Sequence, residues 1–286
     1  MLPVGAQLAQ QFGVAGVELD RLVSELEIDS IIVATREQRG GAMPMEQLVV
    51  CRSKGVPVLD LAGFYEQTHG EVPLDSLKAS WLIYGPGFVQ GQARQVLKRA
   101  FDVLTSSFLL LLASPVMILA AIAIKLDSRG PLIYRQERVG LGGHSFMCLK
   151  FRSMSTDAER DGVARWATKN DSRVTRVGRF IRKTRIDELP QLITVLKGEM
   201  SIVGPRPERP SFVADLQQKI PFYDLRHTVK PGVTGWAQVR YPYGATFEDA
   251  VHKHQFDLYY VKNNSLLLDL VILIDTVSVV LFGEGQ

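Results

Sequence analysis

The hydrophobic positions of this chain change their period twice, and the changes divide it into three stretches. In the first, apolar residues recur at helical spacing over Val17 to Ile28 and around Met45 to Ser53. Each helical pattern is followed by a short apolar run, Ser30 to Ala34 and Val56 to Asp60. Helix and strand signals alternating in this way predict a small parallel α/β unit. In the second stretch, Val103 to Ile124, ~22 residues pass without a charge, which at ~1.5 Å per residue is enough to cross a hydrocarbon layer of ~30 Å. The third returns to mixed helix and strand signals and closes in another apolar segment, Leu266 to Phe282, interrupted by Asp269 and Asp275. The interruption predicts an amphipathic helix lying on a surface, or equally a core helix, rather than a span.

The expected architecture is therefore α/β: a small Rossmann-like module over residues 1–90, a membrane-associated helix over 91–126, and a compact mixed α/β domain with amphipathic surface helices over 127–286. The module lacks an opening strand with a glycine-rich turn, so it reads as incomplete at its N-terminus. Gly85-Pro-Gly87 has neither the spacing nor the setting of a dinucleotide fingerprint, and no cofactor is expected there. In the middle segment, Ser114-Pro115 interrupts the apolar run, and proline removes a backbone hydrogen bond and bends a helix. Arg94, Lys98 and Arg99 precede the run, and Lys125, Arg129 and Arg135 follow it, whereas a simple span carries cytoplasmic positive charge at one end only. A kinked spanning helix and a re-entrant hairpin that enters and leaves by one face both stay open. The hairpin requires a neighbour for the freed carbonyl, and Ser114 is placed to serve.

With 286 residues, 46% of them hydrophobic, the chain has material for a real core and is not a disordered protein. A net charge of +3 does not call for a polyanion, and no nucleic-acid partner is expected, although basic residues crowd the region 125–185. Cys51 and Cys148 are far apart and in no paired motif, which argues against a disulfide framework or a zinc site and fits a reducing compartment. Met1 to Gly13 shows no basic region followed by an apolar run, so no secretory signal is expected.

Candidate chemistry begins at Arg182-Lys-Thr-Arg-Ile-Asp-Glu-Leu-Pro-Gln-Leu-Ile-Thr-Val-Leu196. Pro190 suits the first turn of a helix whose apolar face is Leu192, Val195 and Leu196, so Asp187 and Glu188 fall at or just before its N-terminus, where an anion is stabilised. Acidic residues are commonplace at helix starts, and only the basic company of Arg182, Lys183 and Arg185 points further, toward phosphate recognition. Arg206, between Pro205 and Pro207, reads either as a phosphate clamp or as an exposed turn arginine. Lys150 and Arg152 alternate, so on a strand they would share one face. Lys230 to Val239 reads as a glycine- and proline-rich turn running into a strand, with Trp236 as an anchor for an interface or a base stack. His252 and His254 are two apart and would not face one metal from a helix.

Taken together, Lys98-Arg99-x-x-Asp102, the run with Ser114-Pro115, Lys150-Phe-Arg-Ser-Met154, Asp187-Glu188, Pro205-Arg-Pro207 and Pro231-Gly-Val-Thr-Gly-Trp-Ala-Gln238 occur in the order seen in the bacterial sugar transferase family. The chain resembles these monotopic polyprenyl-phosphate phosphoglycosyl transferases over residues 95–286. The resemblance implies that the Ser114-Pro115 helix is re-entrant and that Asp187 is the nucleophile forming a covalent phosphosugar intermediate. It further implies Mg²⁺ assistance, with Asp187 and Glu188 as its carboxylates. Lys150, Arg152, Arg185 and Arg206 become candidates for phosphate contacts, and Asp257 a weaker one for a substrate or metal role. The implied partners are a UDP-sugar, a polyprenyl phosphate acceptor and membrane lipids at the cytoplasmic face of a bacterial inner membrane, with a homodimer left open. Longer members carry a similar α/β module with transmembrane helices ahead of it. Where many members continue Asn-Gly-Arg after Val239, this chain has Arg240-Tyr-Pro-Tyr-Gly244, so the choice of sugar is not carried over. Two rival readings are a non-catalytic membrane-peripheral module and a glycosyltransferase that moves only the sugar and releases UDP rather than UMP.

Overall fold

A computed structural model of the chain describes residues 19–34, 44–77, 91–158, 171–242, 244 and 246–282. Met1 to Gly13 and Gly85-Pro-Gly87 lie outside the described residues. The chain divides into two compact units, Met1–Leu77 and Lys78–Gln286.

The first unit runs α1 (Leu19–Glu25), β1 (Ile31–Val33), α2 (Met45–Ser53), β2 (Val58–Asp60) and α3 (Leu61–His69). β1 and β2 pair in parallel, Ile31 opposite Val58 and Val33 opposite Asp60, and parallel strands need a crossover, here containing α2. Both strands are shorter than their apolar runs. Pro57 accepts a bond from the Ile31 N–H but has no N–H to return, so pairing starts beyond it. Asp60 then caps α3 by accepting from the Gly63 N–H, and Gly70, at φ 65°, ends that helix.

The second unit opens with α4 (Gln92–Asp127), one helix of 36 residues with Pro115 inside it. Pro115 cannot donate to the Leu111 carbonyl four residues back, and the Ser114 hydroxyl donates to that same oxygen at 2.8 Å. The hydroxyl replaces the bond the proline deletes. Only 11% of the most apolar window of α4 is buried, and Leu104, Phe108, Leu111, Leu119 and Leu126 stand exposed. Such a surface suits hydrocarbon better than water.

The polar face of α4 does the opposite and plunges into the globular part. Arg99 donates from both guanidinium ends to the Val195 and Leu196 carbonyls, 2.6 and 2.7 Å, at the end of α6 (Gln191–Lys197). Asp102, only 2% exposed, accepts from Ser201 Oγ and the Ile202 N–H in β5 (Ser201–Val203). Lys98 sits between Asp102 and Asp269, the latter at 2.9 Å and also accepting from the Tyr260 hydroxyl. Buried charges survive only when paired and hydrogen-bonded in this way.

After α4 comes an antiparallel hairpin, β3 (Ile133–Val139) and β4 (Ser145–Phe151), followed by α5 (Arg176–Lys183), α6, β5 and α7 (Pro210–Lys219). β6 (Gly232–Thr234) pairs in parallel with β5. The backbones at Gly204 and Gly232 approach so closely that a Cβ on Gly232 would lie 2.1 Å from the Gly204 nitrogen, which only glycine tolerates. Lys230 to Val239 thus holds a three-residue strand followed by α8 (Trp236–Arg240), so the expected turn running into a strand is corrected: the strand stops at Thr234 and the rest is helix. Trp236 is buried, stacked on Tyr259 with Arg240 over its ring, so it is a core residue rather than an interface anchor. α9 (Phe247–Asn263) begins at a capping box of Thr246 and Asp249. The main core gathers Phe146, Leu192, Val195, Ile202, Trp236, Phe256 and Ile272 from six of these elements.

α10 (Leu266–Phe282) is amphipathic in an inverted sense. Asp269 is buried against Lys98, Asp275 pairs with Arg240, and Leu267, Leu270, Val271, Ile274 and Val277 face outward. The apolar stripe recurs at helical spacing on the outside.

Replacing Asp102 by Ala strands Lys98, Ser201 and the Ile202 N–H without their common acceptor. The expected loss is about 3 kcal/mol of unfolding free energy, read by chemical denaturation of the purified chain in detergent, against an Asp75→Ala control in the other unit with a change under about 0.5 kcal/mol.

Candidate functional site

The sequence turns sharply after α5. Arg185 adopts a left-handed conformation at φ 57°, costing about 1–2 kcal/mol for a residue with a Cβ, and the chain enters a single 3₁₀ turn, Ile186–Glu188. Such strain is kept where the surrounding structure enforces it. Pro190 is the N-cap of α6, so Asp187 and Glu188 stand just ahead of that helix.

Glu188 is the electrostatic hub. Its Oε1 accepts from Lys150 Nζ at 2.6 Å and from Arg206 Nη2 at 2.7 Å, and its Oε2 lies 3.6 Å from Arg185. Burial would raise its pKa, but Arg206, Lys150 and Arg185 outweigh burial and hold it well below the usual carboxylate range. Asp187 is the opposite case. It is buried at 8% exposure, and among the described residues no hydrogen bond ends on its carboxylate. Burial first, and then the charge of Glu188, push its pKa up to about 6 against the pull of Lys150, Arg182 and Arg206. One carboxylate is tied down by cations, and its neighbour is left open.

Of the residues singled out from the sequence, Lys150, Arg185, Arg206, Asp187 and Glu188 come together here. Arg206 also donates to Gln238 at 2.7 Å, which joins the Pro-Arg-Pro turn to α8. Arg152 goes elsewhere. β4 ends at Phe151, and the Arg152 guanidinium donates to the Ser128 and Arg129 carbonyls at 2.7 and 2.9 Å, past the end of α4. A helix C-terminus offers unpaired carbonyls and negative potential, and this arginine answers them instead of sharing a face with Lys150. Asp257 is buried behind the site. It accepts from Arg226 at 2.8 Å, and Arg226 donates in turn to the Arg206 carbonyl at 2.9 Å and to the Tyr223 hydroxyl at 2.6 Å.

Arg226 had no local signal to single it out, and Gln191 had only a weak one. Arg226 lies in a 3₁₀ helix, Tyr223–Thr228, and its partners are 20 and 31 residues away. Gln191 follows the proline of a motif read for its acid pair; a polar side chain in the apolar half of α6 is the clue that was there. Gln191 is 3% exposed and, with Arg138, Cys148, Lys150, Arg206 and Pro207, lines a small cavity beside Glu188.

For Mg²⁺, which prefers one or two carboxylates with substrate phosphates completing its shell, the open Asp187 carboxylate fits, whereas Glu188 offers mainly Oε2 because Oε1 is doubly engaged. Among the described residues no cluster of three or more acidic, histidine or cysteine ligands occurs.

A family model described as bacterial sugar transferase matches residues 93–283. The chain is 43% identical over 238 residues to a UDP-N-acetylgalactosamine-undecaprenyl-phosphate N-acetylgalactosaminephosphotransferase of Aeromonas hydrophila, an alignment covering 83% of this chain and 55% of that protein. It is 48% identical over 185 residues to the UDP-glucose:undecaprenyl-phosphate glucose-1-phosphate transferase of Escherichia coli (strain K12), covering 64% of this chain and 40% of the relative. It is 44% identical over 197 residues to the exopolysaccharide production protein PSS of Rhizobium leguminosarum bv. phaseoli, covering 66% of this chain and 98% of that protein. The chain thus spans about half the length of the first two relatives.

His254 and His227 flank the Arg226 hub. Burial, then the Arg226 charge, lower His254 to about 3 and His227 to about 4. Their folded pKa values lie below the ordinary value near ~6.5. At these two sites the unfolded chain binds protons first, so the histidine contribution to stability falls as pH drops from about 6.5 toward 4, while Asp187 and Asp257, pushed up to about 6, take up protons in the folded chain and act in the opposite sense. The histidine part is therefore read as a difference: the denaturant midpoint of His254→Leu relative to the unsubstituted chain should rise as the pH is lowered across that window, and an unchanged difference would remove His254 from the acid response.

Proposed function

The chain belongs to the bacterial sugar transferase family, and from that membership we propose that it transfers a sugar-1-phosphate from a UDP-sugar to undecaprenyl or a similar polyprenyl phosphate, with Asp187 as nucleophile and UMP released. The supporting observation is the contrast within one acid pair: Glu188 bound by Lys150 and Arg206, Asp187 buried beside them with no hydrogen bond on its carboxylate among the described residues. The donors and the acceptor are those named for the relatives.

In the first half-reaction an Asp187 oxygen forms a bond to the β-phosphorus, the bridging P–O bond breaks, and its electron pair leaves on UMP. In the second, an oxygen of the lipid phosphate bonds to the same phosphorus and the Asp187 carboxylate is regenerated. Negative charge grows on the phosphoryl oxygens in both, and Lys150, Arg185 and Arg206 supply compensating positive charge already in place. Glu188 keeps those cations gathered. Mg²⁺, held by Asp187 and Glu188, would neutralise diphosphate charge when bound. Arg226 and Asp257 act from behind by fixing the backbone of Arg206.

The membrane part of the proposal is that α4 is re-entrant at Ser114-Pro115 in the cytoplasmic leaflet of a bacterial inner membrane, with α10 lying on the same surface. The parallel pair of the first unit is read as part of a Rossmann-like module.

Asp187→Asn should abolish UMP release from UDP-sugars, screened with undecaprenyl phosphate and Mg²⁺, while the variant stays in the membrane fraction. Near-normal turnover would remove Asp187 from the nucleophile's role, and release of UDP would replace the reaction by plain glycosyl transfer. Single cysteines at residues 94 and 126 should label from the same side of sealed vesicles. Labelling from opposite sides would exclude the re-entrant path.

A further inference from the structure

The short helix α5 has two unlike faces. Inward, Ile181 packs with Ala120 and Ile124 of α4 and with Phe151, and a Cβ on Gly178 would run into the Ser153 carbonyl. Thr175 caps the helix by accepting from the Gly178 N–H, and Asp127, the last residue of α4, accepts from the Val177 N–H. These contacts fix the helix in rotation. Arg176, Arg179, Phe180 and Lys183, at helical spacing on the opposite side, all stand exposed. Leu126 and Arg129, within two residues of Asp127, are exposed beside them. Among the described residues none of these four cations lies in an ion pair, whereas exposed Lys219 and Arg240 face Asp215 and Asp275 at 2.8 and 3.2 Å. Phe180, 61% exposed, stands among the cations, and Leu126, 82% exposed, continues the outward apolar row of Leu119 and Ile122 on α4. Unpaired positive charge interleaved with exposed apolar groups matches a surface that offers phosphates above hydrocarbon. A nucleic acid would meet the charge and leave Phe180 and Leu126 in water.

Resting on the membrane placement proposed above, we infer that this face binds the headgroups of anionic phospholipids. Arg129, Arg176, Arg179 and Lys183 meet the phosphates, while Phe180 and Leu126 enter the boundary beneath them. α5 leads directly into the left-handed turn at Arg185 and the acid pair after it. Docking of its outer face therefore holds that turn close to the layer of lipid phosphates, and the anionic lipid content of the bilayer controls how often it is held there.

The test uses the whole chain reconstituted into phosphatidylcholine vesicles with and without phosphatidylglycerol. A fluorophore on Ser172→Cys, exposed just ahead of α5, is quenched by a headgroup-labelled nitroxide lipid and reads the ratio of docked to undocked α5. Phosphatidylglycerol should raise that ratio by about tenfold or more, since each cation near an anionic surface contributes about fivefold, and added salt should reverse the gain. Arg176→Gln, Arg179→Gln and Lys183→Gln together should abolish the response, whereas Arg176→Lys with Arg179→Lys should keep it. Arg21→Gln, Lys54→Gln and Lys219→Gln together remove the same charge from exposed cations that face acids, and should also keep it. An equal ratio with and without phosphatidylglycerol, or an equal loss in both triple variants, overturns the assignment. A response to trace undecaprenyl phosphate and none to phosphatidylglycerol gives the face to the acceptor and overturns it too. A chain that floats with neither vesicle overturns the membrane placement and this face with it. Flotation with phosphatidylglycerol vesicles alone, lost in the α5 triple variant, overturns an embedded α4 and upholds the anionic face.

Discussion

Everything in the second unit hangs on a few charges that α4 carries into the protein. Arg99 closes the end of α6, the helix that starts just after Asp187 and Glu188. Asp102 holds the start of β5, the strand that leads to Arg206. One turn of one helix therefore grips both arms of the site, the arm with the acid pair and the arm with its arginine. Because those groups are buried, none can be released without exposing its partner to an apolar interior. The helix that leaves an apolar face exposed on one side thereby sets the spacing of Asp187, Glu188 and Arg206 on the other.

Within the site, the division of labour between neighbouring carboxylates follows from environment alone. Asp187 and Glu188 are adjacent, equally buried and chemically alike, yet one is surrounded by bonds from Lys150 and Arg206 and the other is not. The tied carboxylate gathers the cations, and those cations then serve the open one. Arg226 extends this logic outward, since a single guanidinium binds the Arg206 backbone, Asp257 and Tyr223 at once.

Local pattern made much of this readable. The alternation of the first unit, the uncharged run of α4, the amphipathic close and the Asp187-Glu188 pair with Arg206 all show in residue order, because period and motif are local properties. What escaped is non-local. Whether Arg152 faces substrate or a helix end depends on where α4 stops, far off in sequence, and Trp236 became a core residue only because Tyr259 stacks on it. The period of α10 was visible, but not that its aspartates turn inward, which required Lys98 and Arg240 to be in reach. Gln191 shows the same limit: a polar residue in a motif has meaning only beside the cavity it lines.

The Lys98–Arg99 pair also alters how the apolar helix must be counted. Arg94 ends on Asn264, Lys98 on Asp269, Arg99 on two carbonyls, and Lys125, at the far end, on the Gly130 carbonyl. Lys98 is balanced by two carboxylates, whereas Arg94, Arg99 and Lys125 keep their charge and are fixed in place by neutral oxygens. A rule that assigns orientation by comparing positive flanks would weigh four residues that the fold has already neutralised or engaged. In this chain the flanking charge is a rivet between helix and enzyme, and orientation information must be sought in residues that reach the lipid.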